Sequence, residues 1–130
     1  MDIVNLDLRV VDLYGFEHRK NKEILESMIF GIENGDTFPP VPVKKISESV
    51  YWLSADILDK NTYSNSTYLD GGHHRALAHY VVGEPLSCFL VDNAGPVDIK
   101  YRRKIQDLVL VSNELEFKKR QRLKYYCPIL

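Results

Sequence analysis

Tyr68-Leu69-Asp70-Gly71-Gly72-His73-His74-Arg75-Ala76-Leu77-Ala78 is the stretch that decides how this 130-residue chain is read. Thr67-Tyr68-Leu69 has the β-forming character of a brief strand. His74 to Val82 has helical periodicity, which turns Ala76, Leu77, Ala78, Tyr80 and Val81 inward and predicts a stop at Gly83. Between strand and helix lies Asp70-Gly71-Gly72, where two residues without Cβ let the backbone turn sharply and approach a ligand closely. The first N–H groups of a helix have no intrahelical partner, and the helix dipole adds partial positive charge there, so such a turn suits an anion, phosphate above all. Arg75 adds a fixed charge with two-pronged geometry, and His73 and His74 add ring N–H donors. A plain tight turn with structural histidines fits the same residues, and on chemistry alone both readings stay open. Neither GxxxxGK[ST] nor GxGxxG is present.

Upstream, Val4, Leu6, Leu8 and Val10 alternate with mostly polar residues, the two-residue period of a half-buried strand. Tyr14-Gly15-Phe16 breaks that pattern and is read as the start of a loop. Ile24, Leu25, Met28, Ile29 and Ile32 predict a helix over about 21–33, ended by Asn34-Gly35-Asp36. Pro39-Pro40 leads into a short strand at Val41 and Val43, and Ser49 to Ser54 is a second strand rich in β-formers. Residues 56–66 are polar and read as a loop or short helical insertion. Downstream, Pro85 to Val91 is the most apolar strand, with Cys88 within it. Ile99 to Val111 fits helix or strand. Asn113 to Tyr125 reads as a helix with Glu114 and Glu116 in its first turn and cations towards its end, the charge order that suits the helix dipole.

These elements predict one α/β (α+β) domain, a small mixed sheet flanked by helices, with a core over 1–98 and a basic extension over 99–130 packed on it. The charge is unevenly placed: residues 1–98 hold 8 Lys/Arg against 15 Asp/Glu, and residues 99–130 hold 9 against 3. Lys118, Lys119, Arg120, Arg122 and Lys124 form a basic run suited to an acidic partner such as DNA, or else a solvated helix face. Cys88 and Cys127 have neither metal-like nor redox-like spacing and are read as reduced thiols, a single disulfide being the alternative. No run approaches the ~20 apolar residues of a membrane span, and the acidic start does not resemble a signal peptide, so a cytoplasmic protein is expected. His73, His74 and His79 invite a zinc reading, but His74 and His79 are five apart, the wrong step for one helix face, and no metal ligands are assigned.

In the order of its elements from about Leu6 to Asp92, the chain resembles the superfamily shared by ParB-type partition proteins and sulfiredoxin. Gly71-Gly72-His73-His74-Arg75 is similar to the G-G-C-H-R signature of sulfiredoxin and to the G-[HN]-H-R run of the ParB-like and free-serine-kinase branches. Tyr14-Gly15-Phe16-Glu17-His18-Arg19 resembles the N-P-F-Q-P-R loop of ParB proteins. The resemblance implies a nucleotide-binding fold in which Gly71, Gly72, His73, His74 and Arg75 hold phosphates and Arg19 reaches the same ligand. Glu17 falls where the kinase branch places an acidic catalytic residue, and His73 and Asp70 complete the candidate catalytic set. Sulfiredoxin's cysteine is replaced by His73, which excludes thiol chemistry at this position. The ligand expected from the resemblance is ATP, ADP or CTP, with Mg²⁺ bridging phosphate to Glu17 or Asp70. Three functions follow as expectations. The first is a ParB-like domain with nucleotide hydrolase or nuclease activity on or near DNA, with a homodimer in view. The second is a small-molecule kinase with Glu17 as base. The third is a non-catalytic nucleotide-sensing or interaction domain.

Overall fold

A computed structural model gives the fold and describes residues 3–55 and 72–120, the side chains of residues 119 and 120 excepted. The chain opens with β1 (Ile3–Leu6), turns through Asp7, and enters β2 (Asp12–Gly15). The alternation from Val4 to Val10 therefore breaks after Leu6, where Asp7 O accepts from Val10 N at 2.9 Å and Val11 N at 3.0 Å. Tyr14 and Gly15, read from sequence as loop, are sheet residues: Tyr14 lies opposite Trp52, and Gly15 opposite Arg103. β3 (Arg19–Asn21) runs directly into α1 (Lys22–Glu33). Asn21 caps α1 by accepting from Ile24 N at 2.9 Å. At the other end, Asp36 N donates to Gly31 O and Gly35 N to Ile32 O, the paired bonds of a Schellman motif, with Gly35 at φ +88°.

β4 (Val41–Lys45) and β5 (Val50–Leu53) follow as an antiparallel pair. α2 (His73–Val82) leads through Gly83 into β6 (Leu86–Leu90). Over 99–111, a stretch open to either structure from sequence, the chain alternates short 3-10 turns (Ile99–Tyr101, Ile105–Asp107) with β7 (Arg103–Lys104) and β8 (Val109–Val111). α3 (Glu114–Arg120) comes last among the described elements.

Among the described residues, six strands form a mixed sheet in the order β1-β6-β4-β5-β2-β7, and β3 pairs with β8 in a separate parallel ribbon. This is a small α+β domain whose mixed sheet is flanked by helices. β4 and β5 lie at the centre, and Val41, Val43 and Leu53 are completely buried there. α1 packs on α2, with Ile24, Met28, Ala76 and Ala78 also completely buried. Burying such side chains contributes about 1.5–3 kcal/mol for each large one. Among the described residues no helix is long and apolar enough to cross a membrane.

Candidate functional site

Ala76, Leu77 and Ala78 turn inward and Tyr80 packs against the core, as their spacing predicts, but the buried face of α2 extends to polar residues. Val81, expected inside, is 48% exposed, while His73, His74 and Arg75 are 0–1% exposed. Three polar side chains at the start of a helix are thus sealed in, and each is held by hydrogen bonds to main chain. His73 Nε2 accepts from Phe16 N at 2.9 Å and from Glu17 N at 3.2 Å. His74 Nε2 accepts from Asn21 N at 3.0 Å. Because a backbone N–H can only donate, both Nε2 atoms carry a lone pair and the ring proton sits on Nδ1. The motif suggested imidazoles donating to a phosphate, but at Nε2 they serve as acceptors for the protein's own amides. Arg75 Nη1 donates to Pro39 O at 2.9 Å and Pro40 O at 3.4 Å, so its charge ties α2 to the α1–β4 connection.

The close fit requires two glycines. A Cβ on Gly15 would lie 2.6 Å from both Cδ2 and Nε2 of His73, so only a bare backbone lets the ring reach Phe16 and Glu17. Gly72 precedes α2 at φ +95°, and a Cβ there would meet Val41 Cγ1 at 2.6 Å. Its need for glycine is therefore met by packing on β4. Phe16 stands edge-on to His73, with ring centres 4.5 Å apart.

Asp70 and Gly71, together with the strand expected at Thr67-Tyr68-Leu69, lie outside the described residues. The two other halves of the expected site come together: the segment from Phe16 to Asn21 is fastened at three amides to the start of α2. Arg19 is exposed on it, and Glu17 is half-buried. Lys20, which the sequence reading missed, is buried at 6% exposure and forms an ion pair with Glu17. Burying a lysine ammonium without such a partner would cost several kcal/mol, roughly. Asn21 was missed as well: beyond capping α1 it donates from Nδ2 to Asn113 O at 2.8 Å, joining α3 to the same junction. Its place directly ahead of an apolar helical pattern was the available signal.

Neither a protein-family model, a curated protein nor a solved structure matches this chain.

A third buried cation, after Arg75 and Lys20, lies beyond Phe16. Arg102 is 6% exposed, donates to Leu53 O at 2.8 Å and Ala94 O at 2.9 Å, and stacks 4.6 Å from the Trp52 ring centre. Burial pulls its guanidinium below the usual arginine range. Cys88 is completely buried in β6, and its thiol is pushed up to about 12 by that burial, which removes it as a nucleophile at neutral pH. Among the described residues no group of three or more His, Cys, Asp or Glu side chains stands close enough to hold a metal ion. Of the basic run, Lys118 is exposed on α3; the side chains of Lys119 and Arg120, and all of Arg122 and Lys124, lie outside the described residues.

Proposed function

We propose that this chain binds a nucleoside di- or triphosphate at the junction of the Phe16–Asn21 segment with the start of α2, as the ParB/sulfiredoxin-like resemblance implies, and acts on or near DNA. The observation that carries the reading is the double histidine clamp: three backbone amides of the segment are held by two buried rings at the first turn of α2. Such a clamp keeps Arg19 and the Glu17–Lys20 pair beside a helix start whose dipole favours negative charge. In this reading His73, His74 and Arg75 are positioning residues. Phosphate contact falls to the exposed Arg19 guanidinium, a two-pronged cationic donor that fits a phosphate, while Lys20 is buried against Glu17 and holds that carboxylate in place. Glu17 is the carboxylate on hand to accept a proton from water or a hydroxyl group. A Mg²⁺ ion bound with the nucleotide would neutralise phosphate charge.

The test is a thermal-shift panel of ATP, ADP, CTP and GTP with and without Mg²⁺. A nucleotide present at 100 times its dissociation constant should add about 2.7 kcal/mol of stability. Arg19→Ala should cut that shift sharply while leaving the melting temperature of the free protein within a degree or two, because Arg19 is exposed. If Arg19→Ala leaves every nucleotide shift unchanged, or if no nucleotide gives a shift, the reading fails. DNA association through the basic run is checked separately, by an affinity that falls steeply with salt and is lost when residues 117–130 are deleted.

A further inference from the structure

Along the flank of α2, away from its first turn, a cleft of about 360 Å³ opens between the end of α1 and the start of β6. Its walls are apolar, with Ile32, Phe38 and Pro39 on one side and Pro85 and Leu86 on the other. Asp36, His79, Glu84 and Arg75 are its titratable members. The volume lies at the small end of the range for ligand sites, and the lining sets polar and charged groups beside an apolar wall.

The charge of the cleft has a definite sign. Two carboxylates face one guanidinium, and that guanidinium already donates to Pro39 O and Pro40 O. α1 ends at this cleft, and its last turn contains no basic residue to balance the partial negative charge of a helix C-terminus. The α2 end is served differently, since Arg9 Nη2 donates to Tyr80 O at 3.2 Å and Val81 O at 3.4 Å. Asp36 is the most exacting member: its Oδ2 is buried yet has no hydrogen-bond partner among the described residues, and His79 Nδ1 is in the same condition. A buried carboxylate oxygen without a donor is costly, and a small rotation of the Asp36 side chain that presents it to a ligand N–H in the cleft removes that cost.

We propose that this cleft binds a small organic ammonium ion, a primary amine on an apolar body, with the ammonium group at Asp36 and Glu84 and the body between Phe38, Pro39 and Leu86. The charge favours an amine over an anion: two carboxylates line the cleft against one guanidinium that already donates to Pro39 O and Pro40 O. The site is separate from the nucleotide reading and stands without it.

Benzylamine is the probe, followed by amide chemical shifts of the full chain. Saturable shifts are expected at the amides of residues 35–38, 79, 84, 86 and 87. Benzoate, with the same ring and the opposite charge, should give none, and benzyl alcohol should bind at least about tenfold more weakly than the amine, which corresponds to about 1.4 kcal/mol. Asp36→Asn should weaken benzylamine by about tenfold and Glu84→Gln by a few-fold, with the remaining amide spectrum showing that both variants are folded. The proposal is overturned if benzylamine gives no saturable shift at those residues, if benzoate binds as well as the amine, or if both variants bind benzylamine like the parent.

Discussion

The two ends of α2 use histidine in opposite ways. At its start, His73 and His74 are sealed, and their Nε2 atoms accept three main-chain amides across 53–57 residues of sequence. Towards its end, His79 is partly exposed, lines a cleft, and its Nδ1 finds no hydrogen-bond partner among the described residues. The same side chain thus fastens the fold at one end and, half-buried, lines a cleft at the other. The lesson is that a histidine next to a glycine turn is to be judged by what its ring nitrogens accept or donate, since composition alone makes the two ends look alike.

The harshest way to break the fastened end is Gly15→Ala. The new Cβ would displace the completely buried His73 ring, and both of its amide bonds would go with it. Overpacking and the orphaned amides together should cost about 4 kcal/mol, read as a lower urea midpoint with an unchanged slope. A loss under about 1 kcal/mol would mean that the ring relocates freely and that the clamp is not a clamp.

His73→Leu removes the acceptor and keeps most of the volume. It leaves Phe16 N and Glu17 N buried without their partner, and should cost about 2–3 kcal/mol. The same substitution at His79 should change stability by no more than about 0.5 kcal/mol at neutral pH, because it breaks no hydrogen bond of Nδ1 and adds apolar surface to a cleft with apolar walls. Equal losses for the two leucine variants would erase the distinction between the two ends.

Much of the scaffold could be read in advance, and the reasons are local. The boundaries of α1 and α2 follow from Ile24, Leu25, Met28 and Ile32 at helical steps and from Gly35 and Gly83, both at positive φ. β4, β5 and β6 follow from short β-rich runs bounded by proline and serine. β2 was hidden because Gly15, a residue that usually marks a turn, is there to admit the ring of His73 from 58 residues away. That reason is tertiary, and periodicity contains no trace of it. The inward turn of His73, His74 and Arg75 was hidden for the same cause: polar residues enter a core only when distant main-chain groups await them, here Phe16, Glu17, Asn21 and Pro39. The candidate site was legible as a pair of segments, the Phe16–Arg19 stretch and the glycine turn, while the task of each side chain within it was not.

The smallest effect sharpens the comparison by pH. His79 is held below its ordinary 6.5, chiefly because burial disfavours the charged ring, with the backbone and carboxylate of Glu84 pulling the other way. In the window between the lowered folded value and 6.5 the unfolded chain binds the additional proton, so stability rises with pH up to about 6.5 and is lost as pH falls through the folded value. His79→Leu removes this contribution. The variant should therefore lose less stability than the parent when the pH is lowered from about 7.5 to 5, in urea titrations at constant ionic strength. If parent and variant lose the same amount, His79 is not titrating out of a partly buried, neutral state. Benzylamine adds a sharper version of the same test: its ammonium, placed beside the ring, opposes protonation further, so saturating probe should move the His79 ring titration to lower pH still. A shift upward would place the ring next to the carboxylates alone, with the amine elsewhere.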